Sequence, residues 1–259
     1  MTTLRHTLLL RLIGPMQAWG YRSRFEDRDT GLEPTRSGVL GLLASACGIP
    51  RDDSQTLAQW DAMLRMGVRV EIPARREGSG AVRRAASGFR VERDFHTAQE
   101  VLRAAGTGKA DTVLSTRHYL ADARFTVGLE SEDCPLLQRL ESGLKNPCWT
   151  LSLGRKSFPL AVPPWLPGGG LRESTPLLAA LKAAPWLLLQ EKEVLPERVT
   201  FVLEPDALTL EQPANAIPMR LLDRPLDFAM RRFGLRQTAL FHLDSAECGM
   251  EADRCFFPK

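Results

Sequence analysis

Apolar and polar positions alternate along this chain with two different periods. Leu8-Leu9-Leu10-Arg11-Leu12-Ile13 is apolar on both faces of an extended segment, which predicts a strand in the middle of a sheet. A tight loop, Gly14 to Gly20, follows it. Thr35 then opens a helix carrying Val39, Leu40, Leu42, Leu43 and Ala46, and Gly48 before Pro50 stops it. Met66, Val68, Val70 and Ile72 alternate with Gly67, Arg69 and Glu71 as in a half-buried strand, and Phe125, Val127 and Leu129 repeat the pattern. From Pro135 a short helix puts Leu136, Leu137, Leu140 and Leu144 on one buried face. Further strands are predicted at Val199–Leu203 and Ala239–Leu243.

This order, strand–helix–strand–insertion–strand–helix–strand, is that of an α+β, ferredoxin-like βαββαβ unit. Its second hairpin is expanded by residues from about 75 to 117. The predicted core spans 1–162. Residues 163–259, rich in Pro, Gly and Leu up to Pro196, form an elaborated connection, the remaining strands and a C-terminal extension of the same unit.

Charge changes this picture in one place. The net charge of the 259 residues is only +3, but Arg75–Arg93 alone holds six arginines, no lysine and two glutamates. Interspersed with Gly78, Ser79, Gly80 and Gly88, it reads as a protruding arginine-rich hairpin. Arginine favours bidentate phosphate contacts and stacking on bases, so the expected partner is nucleic acid rather than solvent alone. A composition of 44% apolar and 25% charged residues is ordinary for a soluble globular protein. No stretch has the roughly 20 apolar residues of a membrane span, and the Leu8–Ile13 run is too short for a signal peptide. Five scattered cysteines without zinc spacing predict reduced thiols, a cytoplasmic location, no structural metal and no cofactor.

Arg36 is expected in the first turn of its helix, where the macrodipole disfavours a cation by roughly 0.3–1 kcal/mol. An anion held jointly by the helix amides and the guanidinium offsets that cost, and phosphate is the obvious candidate. Gly38, Gly41 and Ser45 form a bare stripe on this helix, against either the protein's own sheet or a nucleic-acid backbone. Gly106-Thr107-Gly108-Lys109 fails as a phosphate loop, because Ala110 replaces the required Ser or Thr and Arg103 the leading Gly. His118 and Tyr119, between Arg117 and Arg124, form the only cluster suited to metal-independent RNA cleavage, and it suits holding RNA equally well.

Five blocks together resemble the CRISPR-associated protein 5 family, in its type I-E branch. They are Arg11–Gly20, Pro34–Leu43, Arg93–Thr97, Arg117–Val127 and Leu153–Leu160, in family order. The C-terminal third matches weakly, at Arg224-Pro225 and Arg231-Arg232-Phe233. The resemblance implies a modified, RRM-like ferredoxin fold whose arginine-rich insertion forms a thumb. It also implies a non-catalytic subunit of the Cascade surveillance complex that caps the CRISPR RNA 5′ end and holds its repeat-derived handle. The implied partners are the backbone subunit, the large PAM-recognising subunit and, through the complex, target DNA. Type I-C relatives cleave pre-CRISPR RNA, so an endoribonuclease is the alternative. Carried onto this chain, Arg36 and Ser37 bind a handle phosphate or base edge, Gln17 reads a base, and Trp19 stacks on one or fills the core. Arg83, Arg84, Arg90 and Arg93 line the thumb with His96 at its base. Arg117, His118 and Tyr119 complete the clamp, and Arg155 with Lys156 meets RNA or a partner subunit.

Overall fold

The computed structural model describes residues 4–21, 26–72, 74–76, 82–83, 90–101, 111–187, 193–205, 213, 215–249 and 251–253, the strand residues 74–76, 82–83, 111 and 252–253 by their backbone alone. The chain runs β1 (His6–Ile13), β2 (Met16–Gln17), β3 (Asp27–Arg28), α1 (Arg36–Cys47), α2 (Ser54–Met63), β4 (Arg65–Glu71), β5 (Ala74–Arg76) and β6 (Val82–Arg83). It continues with β7 (Arg90–Val101), β8 (Asp111–Ala121), β9 (Arg124–Ser131), α3 (Cys134–Lys145), β10 (Leu171–Arg172) and α4 (Leu177–Ala183). The remaining elements are β11 (Trp186–Leu187), β12 (Glu193–Val194), β13 (Arg198–Leu203), β14 (Ile217–Asp227), β15 (Arg232–Asp244) and β16 (Ala252–Asp253). The architecture is α+β, with mainly antiparallel sheets.

Seven strands form the main sheet in the order β10-β1-β9-β4-β13-β15-β14, all antiparallel. The alternation in β1 sorts its side chains between two cores. Leu8, Leu10 and Leu12 pack under α1, α2 and α3, while Leu9 joins Phe201, Phe241 and α4 on the opposite face. In α3, Leu136, Leu137, Leu140 and Leu144 are all buried, at about 1.5–3 kcal/mol of burial each. The capping of α1 follows its sequence: Thr35 Oγ1 accepts from the Gly38 amide at 3.3 Å, and Gly48 closes the helix in the left-handed region.

β1 pairs along its length with β9 on one side, and on the other with the two-residue β10, from the segment expected to be an elaborated connection. The Leu9 amide donates to Gly170 O at 2.9 Å and the Arg11 amide to Pro164 O at 2.8 Å, so residues 161–172 satisfy the β1 edge without a regular strand. The predicted Val199–Leu203 strand, β13, joins the far side of β4 and carries β15 and β14 with it.

The β7–β8 pair leaves this sheet as a long ribbon. Its base is pinned by β2 and β3, which both pair with β8. Along β7 every residue is exposed or half-buried. Of the arginines predicted for the thumb, Arg90 and Arg93 lie on this ribbon. Arg83 is described by its β6 backbone only, and Arg84 lies outside the described residues.

Candidate nucleic-acid interface

Arg36 heads α1, as predicted, but its anion comes from the protein itself. The side chain is only 3% exposed. Its Nε donates to Asp61 Oδ1 at 2.5 Å, Nη1 to Glu204 Oε1 at 2.8 Å, and Nη2 to the carbonyls of Asp61 and Leu64 at 2.6 and 2.7 Å. Its amide donates to Asp223 Oδ2 at 2.8 Å, and Arg236 grips the same carboxylate. Carboxylates from α2, β14 and the end of β13 thus supply the charge that the helix start and the guanidinium demand. Arg36 is therefore corrected from an RNA contact to a buried ionic anchor.

Gln17 needs the same correction, and for Trp19 the structure selects the core over the stack. Gln17 is 0% exposed and donates through Nε2 to Ala123 O at 2.7 Å, while its Oε1 accepts from Trp19 Nε1 at 3.0 Å. Trp19 is 1% exposed, and its ring lies so close to Gly38 that an added Cβ would meet it at 2.8 Å. The amide that was to read a base instead satisfies the loop, and the indole fills the core against the first glycine of the stripe.

The rest of the stripe is open. A Cβ on Gly41 would touch nothing closer than Phe228 at 4.0 Å. Ser37, Gly41 and Ser45 form one wall of a groove of about 580 Å³. The facing wall comes from the 149–156 loop, with Trp149, Gly154, Arg155 and Lys156, and from Phe228 and Phe233 of the β14–β15 hairpin. Gly154 makes that loop possible: its φ of +87° is left-handed, and a Cβ there would run into Ala18 O. Trp149 is 47% exposed, a large ring held at the surface. Arg51 adds a further cation to the rim.

Arg155 joins groove to ribbon. Its guanidinium carbon lies 5.0 Å from the Tyr119 ring centroid, and Nη1 donates to the Tyr119 hydroxyl at 3.4 Å. Tyr119 is buried, at 6% exposed; it packs edge-on against Phe158 and donates to Asp94 Oδ2 at 3.3 Å, so it is corrected from a clamp contact to a ring that positions Arg155. Partial burial pulls the Arg155 guanidinium below its usual pKa; Tyr119 opposes this, and the nearby cations Arg117 and Arg28 add to it. Arg28 sits directly beside Arg117 across the β3–β8 pair. Three arginines thus crowd one spot where Asp94 is the carboxylate that opposes them.

Strand alternation divides the other predicted residues between two faces. Register pairs Asp94 with Arg117, Glu92 with Tyr119 and His96 with Ser115, so Arg90, His96, Arg117 and Tyr119 share the face next to Arg155. Arg93 and His118 are opposite each other on the other face. There they border a small concavity with Glu26 and Asp27, and His118 Nδ1 lies 3.4 Å from Asp27 Oδ1. Lys156 is exposed at the groove rim. Sequence reasoning missed Arg28, Arg51, Trp149, Phe228 and Phe233. Trp149 alternates with Leu151 and Leu153 as a buried strand residue would, so no local signal marked it as a surface ring.

These features define a class: an α+β protein whose antiparallel sheet bears a long charge-rich ribbon, with a local cluster of arginines at its base, beside a glycine-walled groove. The family model described as CRISPR-associated protein (Cas_Cas5) matches residues 7–238. The CRISPR system Cascade subunit CasD of Escherichia coli (strain K12) is 37% identical over 190 residues, 70% of this chain and 79% of that protein. This chain belongs to the CRISPR-associated protein 5 (Cas5) family. Among solved structures, a chain described as "Crystal structure of Cas protein" is 35% identical with a TM-score of 0.64, covering 94% of this chain and 97% of its own. A chain from a "CRISPR RNA-guided surveillance complex" is 27% identical with a TM-score of 0.66, covering 96% and 95%. Among the described residues no helix is long and apolar enough to cross a membrane.

Proposed function

We propose that this chain is a non-catalytic, cytoplasmic RNA-binding subunit of a type I-E CRISPR surveillance complex, capping the 5′ end of the CRISPR RNA and holding its repeat-derived handle. The observation that carries this reading is the continuity of groove and ribbon through Arg155. Arg28, Arg117 and Arg155 supply a local excess of positive charge for phosphates. Trp149, Phe228 and Phe233 offer ring faces to unstacked bases, and Gly41 lets a sugar–phosphate backbone approach α1. Single-stranded RNA is the ligand such a combination fits. The strand order β10-β1-β9-β4 with α1 and α3 supports a ferredoxin-like unit, with the insertion at about 75–117 as its thumb and 163–259 as an elaborated connection, the remaining strands and a C-terminal extension of the same unit. As a member of the assembly the chain contacts the backbone subunit and the large PAM-recognising subunit, and meets target DNA only through them.

Cleavage is disfavoured by the geometry of β8. His118 and Tyr119 are neighbours in a strand, so their side chains leave opposite faces and do not converge on one phosphate.

The test is to mix the purified protein, in EDTA and near-physiological salt, with the cognate repeat RNA and with a handle-scrambled control, alone and within the reconstituted complex. Handle-dependent retention of uncut RNA, weakened by Arg155→Ala or Arg117→Ala, is expected. Cleavage abolished by His118→Ala or Tyr119→Phe would make the chain a processing enzyme.

A further inference from the structure

The far end of the β14–β15 hairpin is clad in aliphatic side chains. Leu222, Leu226, Met230 and Leu235 are 45%, 58%, 72% and 62% exposed, a concentration that isolated surface leucines do not produce. Register explains how they are arranged. Leu221 and Arg236 face each other on the buried side, so Leu222 and Leu235 turn to the opposite face. An irregularity between Leu221 and Arg224 then reverses the strand. Arg224 pairs with Gly234 and reaches Asp61 on α2, and Leu226, two residues on, lies against Gly234 on that side. Met230 occupies the turn, where its amide is held by Asp227 Oδ1. The hairpin therefore presents aliphatic surface on both faces and at its tip.

We propose that this hairpin end inserts into an apolar cleft, rimmed by acidic side chains, on another protein subunit of the surveillance complex; the inference rests on the reading of the chain as such a subunit. Three observations select this occupant. Among the described residues the exposed charges around the aliphatic residues are Arg220, Arg224, Arg231 and Arg232, with Arg224 tied to Asp61, while Asp223 is buried under Arg236 and Asp227 is engaged at the turn. A partner that desolvates the leucines must meet those arginines with carboxylates. A second copy of the chain would oppose arginine to arginine across a two-fold contact. The hairpin's rings, Phe228 and Phe233, line the groove, and the leucines and methionine beyond them offer nucleic acid no ring to stack on. Pro218 and Pro225 also blunt β14, the edge of the sheet, so the contact runs through side chains and not through strand addition.

The test uses the full-length protein, the other purified protein subunits of its complex and the CRISPR RNA. Two variants are compared with the parent: Leu226→Ser with Leu235→Ser, and Arg231→Glu with Arg232→Glu. Incorporation is read by titration and native mass spectrometry, handle retention by RNA footprinting, and folding by thermal melts. The account expects each variant to melt like the parent, to enter the complex roughly tenfold or more less tightly, and to leave the footprint unchanged. It also expects parental incorporation to weaken with salt more steeply than that of the glutamate variant. Incorporation of both variants within about twofold of the parent overturns the proposal, twofold being well below a hot-spot effect. So does loss of the handle footprint with protein contacts intact, which would make this a nucleic-acid surface, or loss of self-association alone, which would make it a homotypic one. If the parent itself neither enters the complex nor protects the handle, the functional reading fails as well, and that outcome is distinct from failure of the variants alone.

Discussion

Replacing Arg36 with alanine separates two accounts of the same residue. The guanidinium makes four hydrogen bonds under α1, to Asp61 Oδ1, Glu204 Oε1 and the carbonyls of Asp61 and Leu64. Removing it strands the Asp61 and Glu204 carboxylates with only Arg224 and Arg236 as counter-ions. Breaking a buried ion pair from one side costs about 3–5 kcal/mol. For a chain of this size each kcal/mol lowers the melting temperature by roughly 2–4 °C, so the expected fall is on the order of 10 °C. Arg36→Lys should recover little, because an ammonium cannot reproduce the planar fork that reaches two carboxylates and two carbonyls. Thermal and urea melts of the purified variants measure this. An Arg36→Ala protein that melts within about 2 °C of the parent, well short of what a broken buried pair implies, yet loses handle RNA would refute the anchor and restore Arg36 as a phosphate ligand.

Four further outcomes follow from the groove and its surroundings. Trp149→Ala should weaken handle retention by about 1–3 kcal/mol, the usual worth of one base–aromatic stack, with no change in melting; equal retention would remove Trp149 from the interface. Gly41→Ala should melt slightly higher, by about 0.5–1 kcal/mol of stability, whereas Gly41→Leu should fold normally and lose RNA, as read by parallel melting and filter-binding measurements. Arg155→Ala and Arg117→Ala should each reduce the slope of log affinity against log salt by about 1, and an unchanged slope would show that they do not face phosphate. Burial pushes the Glu33 carboxyl up, Arg236 opposing and Asp223 adding to it. The folded protein therefore holds this proton longer than the unfolded one, and stability falls as pH rises from the ordinary carboxylate range through the raised value. Glu33→Gln should be more stable than the parent at neutral pH and show a flatter profile in urea melts; a destabilised variant would contradict the sign.

What could be read from the sequence was what is decided locally. The Thr35 cap, the Gly48 stop and the leucine face of α3 depend on residues within a few positions of one another. The alternation of β4 and β9 located two strands but not their burial: both are covered on both faces, and Arg69 is buried against Glu71 and the carbonyls of Leu181 and Ala184. The exposed ribbon arginines Arg90 and Arg93 were legible locally, as charge in a stretch with few large apolar residues. The fate of Arg36 was not. Its anomaly as a cation at a helix start was visible, but its carboxylate partners lie 25, 168 and 187 residues away, and spacing says nothing about them. Trp19 stayed open between stack and core, and Gln17 pointed to the wrong partner, because an aromatic ring and an amide in a tight loop serve the core and the surface with the same chemistry. Only the 3.0 Å bond between them and the closeness of Gly38 decide it. β14 was hidden by Pro218 and Pro225, which argue against a strand anywhere except at a sheet edge, and that is where β14 lies. The groove rings Trp149, Phe228 and Phe233 converge from distant parts of the chain, so no sequence window contains them together.

The central claim is that the handle lies in the groove beside α1 and along the ribbon face bearing Arg117 and Tyr119. The most direct measurement reconstitutes the surveillance complex on a CRISPR RNA with photoreactive bases at successive handle positions, and maps the crosslinked peptides by mass spectrometry. The account predicts crosslinks from the handle to residues 149–156 and to β8 of this chain, lost with a scrambled handle. Handle crosslinks that fall on other subunits, or on this chain only at the Arg93–His118 face, would contradict it.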